Sequence, residues 1–187
     1  MALKLQDGTT VPSVTTIVRL LSKPALYVWH NQQGLKGINT TQVLNNEAKT
    51  GTLLHEMVEH YLTTGGEYLI ETKTYDPGHI KRATQAYVNF KKWAQDHTFE
   101  DVKIEMPLVS ETQRFGGVLD IYCKMDGKWT LIDLKTSGYV YKDQLLQVAA
   151  YKALLEENGY PVEQSFVVSV DKYTDYTTDT TKDCSTG

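Results

Sequence analysis

The sequence predicts an α/β protein with a central mixed β-sheet flanked by helices, in the order α-β-β-β-α-β after an N-terminal helical region. Three observations carry this. Residues 79–97 repeat apolar side chains at helical spacing, and residues 101–135 switch to strand composition around one tight turn. Residues 143–158 then return to helical character ahead of a β-branched run, Val162–Val170. At 187 residues the chain is long enough to bury one core. The reading is one domain over 1–187, with a helical region over 1–50, the core over 51–171 and a polar tail over 172–187.

The elements follow in order. Residues 3–12 read as an extended piece turning at Asp7-Gly8. Ser13 is an N-cap candidate for a helix to about Leu21, with Thr16 where a capping box would have Glu or Gln. Pro24 suits the first position of a helix to about Gln33, because its missing N–H costs nothing there. Gly34 and Gly37 are expected to break the chain, and a further helix is expected over Thr41–Ala48. From Gly51 a separate amphipathic helix places Leu54, Met57, Val58, Tyr61 and Leu62 on one face, and Gly65-Gly66 ends it. Residues 67–76 read as a loop. The helix over 79–97 turns Ala83, Ala86, Tyr87, Phe90, Trp93 and Ala94 inward, with Lys81, Arg82, Lys91 and Lys92 outside. Strands over 101–110, 115–124 and 128–135 follow, then the helix 143–158 and the strand 162–170. The tail is Thr-rich without a packing pattern, so disorder or extended structure is expected there.

Asp126-Gly127 between two β-rich flanks is the strongest short-range hairpin signal in the chain. A two-residue loop pairs Met125 with Lys128. Counting outward sets Tyr122 against Leu131, Ile121 against Ile132 and Asp120 against Asp133. Like charges directly across an antiparallel pair repel, so two facing carboxylates need a shared cation or proton. Lys135 lies two residues beyond Asp133, on the same strand face. Asp, Asp and Lys at one hairpin end can hold a divalent metal beside a phosphate.

Composition narrows the classes. Hydrophobic content of 41% and charged content of 22% are ordinary for a soluble globular chain. No apolar run reaches the ~18–20 residues of a membrane span, and no signal-peptide apolar region opens the chain, which makes a cytoplasmic location the expectation. A net charge of −4 argues against coating nucleic acid non-specifically, yet allows an enzyme with a local basic groove. The two cysteines cannot supply the four thiolates of an iron–sulfur cluster or a structural zinc site; Cys123 reads as a packed strand thiol and Cys184 as a tail thiol. P-loop, GxSxG, HExxH and GxGxxG patterns are all missing.

Other candidates surround the hairpin. Asp120 and Asp133 offer hard oxygens suited to Mg²⁺ or Mn²⁺, and Lys135 could orient a water or stabilise phosphate charge. His55 could add a ring nitrogen if its helix packs over the hairpin end, with Glu59 one turn on as its support. Gln147 and Tyr151 lie one turn apart and could reach a DNA phosphate, with Gln144 on the same side and Leu145, Ala149 and Leu154 available for the core. Alternation turns Glu105 away from a face shared by Val102, Ile104 and Met106, toward either the acids or solvent.

The series GTLLH (Gly51–His55), GGVLD (Gly116–Asp120), DLK (Asp133–Lys135) and QVAAY (Gln147–Tyr151) resembles the PD-(D/E)XK nuclease superfamily, and within it the RecB-type exonuclease branch. Phage exonucleases, the mitochondrial genome maintenance exonuclease and CRISPR adaptation nucleases belong to that branch. PSVTTIV (Pro12–Val18) with Trp29 is similar to its N-terminal region. The resemblance implies a restriction-endonuclease-like core. It implies that His55, Asp120, Asp133 and the Leu134 carbonyl bind Mg²⁺ or Mn²⁺, with Lys135 as the catalytic lysine. It also implies a DNA substrate with free ends, and a phage-encoded enzyme working in a bacterial host is compatible with it. A recombination or replication protein partner and the oligomeric state stay open. The middle acid of D-x-K motifs is often Glu; here it is Asp133, and RecB-type members also use Asp at this place. Unlike many CRISPR adaptation nucleases, the chain has too few cysteines for a cluster. Two other readings stand beside this one: an inactive nuclease-like module that binds DNA or protein, and a metal phosphohydrolase on small substrates.

Overall fold

The structure, a computed structural model, describes residues 2–21, 23–137, 139–174 and 182–183. Most of the Thr-rich tail, with Cys184, lies outside the described residues.

The elements are α1 (Val14–Val18), α2 (Pro24–Leu35), α3 (Thr40–Thr64), α4 (Pro77–Ala94), β1 (Phe99–Ser110), β2 (Phe115–Met125), β3 (Lys128–Lys135), α5 (Lys142–Glu157), β4 (Gln164–Ser169) and the two-residue β5 (Lys182–Asp183). The sheet order is β1-β2-β3-β4-β5. The first two pairings are antiparallel, β3 and β4 are parallel, and β4 pairs antiparallel with β5. A parallel pair needs a crossover, which α5 supplies. The result is a four-stranded mixed sheet with a short extra edge.

Helices cover both faces. Leu53, Leu54, Met57 and Val58 of α3, with Ala83, Ala86, Phe90 and Trp93 of α4, pack on Ile121, Cys123 and Ile132. On the other face Val14 of α1 and Val148, Tyr151, Leu154 and Leu155 of α5 pack on Leu119, Tyr122 and Leu131. Among the described residues no helix is long and apolar enough to cross a membrane.

Several expectations need correction. α1 stops at Val18 rather than near Leu21, although Ser13 does cap it by accepting the Thr16 N–H at 3.1 Å. Gly34 lies inside α2, and Gly37, at φ +71°, is where the chain turns. The two helices expected around Gly51 are one helix of 25 residues, α3, so the boundary drawn at residue 50 falls inside it. A helical glycine costs only about 1 kcal/mol relative to alanine, which packing against α4 outweighs. Gly65, at φ +69°, ends this helix as expected. Of the basic residues on α4, Arg82 donates from Nε to Thr50 Oγ1 at 3.4 Å and Lys91 lies 5.1 Å over the Tyr87 ring, so the four do not form one free stripe.

β1 departs most from simple alternation. Its pairing with β2 shifts between Glu100 and Lys103, next to Asp101 at φ +51°, which is a β-bulge. Further on, Glu105 also has a left-handed φ of +49°. Phe99 and Val102 pack in the α3/α4 layer while Met106 and Leu108 pack in the α1/α5 layer. Val102, Ile104 and Met106 therefore do not share a face. β2 turns over at the same level: Leu119 and Ile121, two residues apart, pack in opposite layers. The residue between them is Asp120.

Candidate active site

The hairpin register is the one its turn dictates. Asp126 (φ +51°) and Gly127 (φ +79°) form a two-residue loop, and the pairs run Met125↔Lys128, Lys124↔Trp129, Cys123↔Thr130, Tyr122↔Leu131 and Ile121↔Ile132. The recorded ladder ends there, one step short of Asp120 and Asp133. Beyond it the Asp120 side chain takes over the backbone's role, its Oδ2 accepting the Leu134 N–H at 2.9 Å.

Four side chains meet at this end. Lys135 Nζ lies 2.7 Å from Asp133 Oδ2 and 3.8 Å from Asp120 Oδ2, bridging the two acids. Asp133 is fully buried, and despite the nearby ammonium neither of its oxygens receives a well-aligned hydrogen bond. Burial pushes its carboxyl up to about 6 and the Asp120 charge pushes the same way, against the pull of Lys135 and His55. His55, brought over the hairpin end by α3, sets Nε2 3.2 Å from the Leu134 carbonyl oxygen and Nδ1 3.7 Å from Asp120 Oδ1. A carbonyl can only accept, so Nε2 is the donor in its contact with Leu134.

Glu105 joins them. One ligand atom each from His55, Glu105 and Asp120 lie within 4.8 Å of one another. Burial of its carboxyl and then the Asp120 charge raise the Glu105 proton affinity, which His55 partly offsets. These three side chains, with Glu59 and the Leu134 backbone, line a cleft floored by Val58, Ile104 and Ile121.

The two glycines before Asp120 have a steric reason. A Cβ on Gly117 would stand 2.5 Å from Tyr151 Cε1, and one on Gly116 would stand 2.8 Å from the Leu108 carbonyl oxygen. Glycine at position 117 leaves the Tyr151 ring room against β2. A match of the family profile of the PD-(D/E)XK nuclease superfamily extends over residues 12–180, from just before α1 to beyond β4. The chain belongs to this nuclease superfamily. No curated protein matches it.

The sheet and flanking helices are thus a restriction-endonuclease-like core, and the other residues of the nuclease can be placed on it. The structure brings His55, Asp120, Asp133, Leu134 and Lys135 together. Tyr151 is 3% exposed and belongs to the core, whereas Ala149 faces outward, so the division of α5 differs from the one expected. Gln147 donates to the Tyr151 hydroxyl at 3.0 Å. Burial, together with the charges of Asp120, Asp133 and Glu105, raises the phenol pKa, so the hydroxyl stays protonated. Gln144 points elsewhere: it accepts the Tyr141 N–H at 2.9 Å and donates to Ser137 Oγ at 3.2 Å, holding the turn that follows Lys135. Glu59 stands beside Glu105 on the cleft wall and adds negative charge there. Glu105 was the residue whose direction alternation left open; the left-handed turn at that position sends it to the cleft. Divalent ions of the hard class fit this donor set of carboxylates, one imidazole and a backbone carbonyl, with no thiolate among them.

Proposed function

We propose that this nuclease is a Mg²⁺- or Mn²⁺-dependent deoxyribonuclease that degrades DNA from its ends. The observation that carries the reading is the crowding of Glu105, Asp120 and Asp133 at one sheet end beside a single lysine and an imidazole. Such crowding is unfavourable unless a cation is bound there. Preference for ends is supported by the likeness of Gly51–His55, Gly116–Asp120, Asp133–Lys135 and Gln147–Tyr151 to the RecB-type branch.

In this reading His55, Asp120, Asp133 and the Leu134 carbonyl hold the ion. A bound divalent ion lowers the pKa of water and neutralises charge on the scissile phosphate. Lys135, 23% exposed and anchored by Asp133, orients the attacking water and offsets the charge that accumulates on the phosphate in the transition state. Asp120 keeps that lysine and the Leu134 backbone in register through Oδ2. Gln147, with its amide fixed by Tyr151, positions the DNA strand.

The test is incubation of the purified protein with linear and covalently closed circular DNA, single- and double-stranded, in Mg²⁺, Mn²⁺ or EDTA. Linear DNA should disappear with either metal, circles should persist, and EDTA should stop the reaction. Circles lost as fast as linear molecules would overturn the exonuclease assignment. Binding without cleavage in every metal would leave the inactive module instead.

A further inference from the structure

We propose that Tyr27 of α2, with Tyr139 and Tyr141 between β3 and α5, forms a stacking surface for the unpaired bases of a DNA strand approaching Lys135. The inference rests on the reading of the chain as a DNA nuclease and narrows its substrate to ends that present single strands.

Burial singles out α2. None of its 12 residues is buried, although Leu26, Tyr27, Val28 and Leu35 are apolar and exposed. A helix of this length normally owes its stability to packing, so an apolar face left open marks a binding surface. Two contacts fix α2 beside the site. Lys23, its N-cap, pairs with Asp143 in the first turn of α5 at 2.5 Å, and His30 Nδ1 lies 2.8 Å from Thr40 Oγ1 at the start of α3. Tyr27 stands one turn beyond Lys23, its N–H donating to the Lys23 carbonyl at 3.3 Å. Tyr141 is the N-cap of α5, two residues before Asp143. Tyr27 and Tyr141 therefore flank the same ion pair.

The two later tyrosines are also tied to the Lys135 end. Tyr139 follows Lys135 by four residues, at most about 14 Å of extended chain. Ser137 Oγ donates to the Tyr139 carbonyl at 2.8 Å and accepts from Gln144 at 3.2 Å, while Ser169 Oγ donates to the Ser137 carbonyl. On this pinned backbone the side chains stay open: Tyr139 is 75% exposed, Tyr141 54% and Tyr27 67%. Rings presented from a fixed backbone lose little freedom when a base stacks on them.

Charge selects the occupant. From Gly8 to Asn46 the chain has no Asp or Glu in 39 residues, although it carries 23 acids in all and a net charge of −4. The same stretch holds Arg19, Lys23 and Lys36, and Lys142 follows Tyr141. Arg19, Lys36 and Lys142 are exposed, and among the described residues none of them pairs with a carboxylate. Asp143, beside Tyr141, is neutralised by Lys23. Free cations interleaved with open aromatic rings suit a phosphate backbone whose bases are splayed out to stack. A second copy of this chain would set like charges against each other. A paired duplex keeps its base faces stacked on one another, so the rings would go unused.

The measurement is fluorescence anisotropy of labelled single-stranded and duplex oligonucleotides, titrated with the full chain in EDTA over a range of salt. Tyr139→Ala and Tyr27→Ala should each weaken single-strand binding by about tenfold and leave duplex binding and the salt slope unchanged. Tyr139→Phe should bind like wild type, since the ring and not the hydroxyl does the stacking. Lys142→Ala should instead lower the slope of log affinity against log salt by about 0.7. Melting temperatures should match wild type throughout, because each altered side chain is exposed. Unchanged single-strand binding in both alanine variants would overturn the proposal, as would an equal loss on duplex or a Tyr139→Phe as weak as Tyr139→Ala. A dimer in sedimentation that Tyr27→Ala dissociates would assign α2 to a second copy and overturn it as well. Wild type that binds single strands through these tyrosines yet cuts no DNA in Mg²⁺ or Mn²⁺ would support this proposal and remove the catalytic reading alone. Linear DNA degraded by a protein whose alanine variants bind single strands normally would remove this proposal alone.

Discussion

Asp126 and Asp133 belong to one hairpin and sit in opposite electrostatic surroundings. At the turn, Asp126 accepts the Thr98 N–H at 2.9 Å, the Thr98 hydroxyl at 3.2 Å and His97 Nδ1 at 2.6 Å. The Thr98 N–H above all, then His97, holds its carboxyl below the usual range. At the far end Asp133 has a lysine beside it but no aligned donor, and burial pushes its carboxyl up to about 6. The same residue type is a strut in one place and, in the other, a buried acid held by one lysine ion pair. A stable fold favours the first arrangement. The second is tolerated where a ligand is to be held, because local destabilisation there is compensated by the rest of the core.

The difference between the two ends can be broken most sharply by activity. Lys135→Ala or Asp133→Ala should lower cleavage of linear DNA by about 10³-fold with far-UV circular dichroism unchanged, while Asp126→Asn should cleave like wild type. An Asp126 variant as impaired as the others would erase the contrast. Next in size is Gly117→Ala, beside the acid end. Its methyl group would meet the Tyr151 ring at 2.5 Å, for a loss of about 1–3 kcal/mol in urea unfolding.

Proton linkage sharpens the comparison from another side. Asp133 binds its proton more tightly folded than unfolded, so its favourable contribution is full below about 3.8 and lost as pH rises through about 6. In metal-free protein, Asp133→Asn should therefore gain melting temperature over wild type as pH rises from 4 to 7, and no further beyond. For Asp126 the sign reverses: its depressed carboxyl stabilises at neutral pH and loses that contribution as pH falls. The smallest effect should be Asp126→Asn itself, about 0.5–1 kcal/mol at neutral pH, since the turn lies at the surface.

Much of this was legible before any coordinates. The Asp126-Gly127 turn fixed the register through Ile121↔Ile132, and the inward residues of α4 were read from spacing alone. Proximity of His55 to the hairpin was readable only from the motif order. The residues misjudged have two physical causes, a backbone conformation that periodicity cannot see and tertiary packing that residue type cannot see. Glu105 lies in a strand by composition, yet its left-handed φ turns the chain over, so alternation fails at the one residue where direction matters most. Gly51 signals a break by type, yet α3 runs through it because its neighbours pack on α4. The glycines before Asp120 were visible as a motif, but their reason, the Tyr151 ring, comes from a helix that follows the hairpin.

The contact between His55 and the Leu134 carbonyl joins residues 79 apart in the chain. The hairpin, closed by a two-residue loop, can form from local contacts, whereas this contact waits until α3, α4 and β1 have found their places. An isolated hairpin would carry Asp120, Asp133 and Lys135 while lacking the imidazole and the β1 carboxylate. During synthesis His55 and Glu105 emerge ahead of the hairpin, so the pocket waits on long-range docking and not on the supply of its residues. Assembly of the cleft therefore depends on contacts that no single stretch of the chain can make alone.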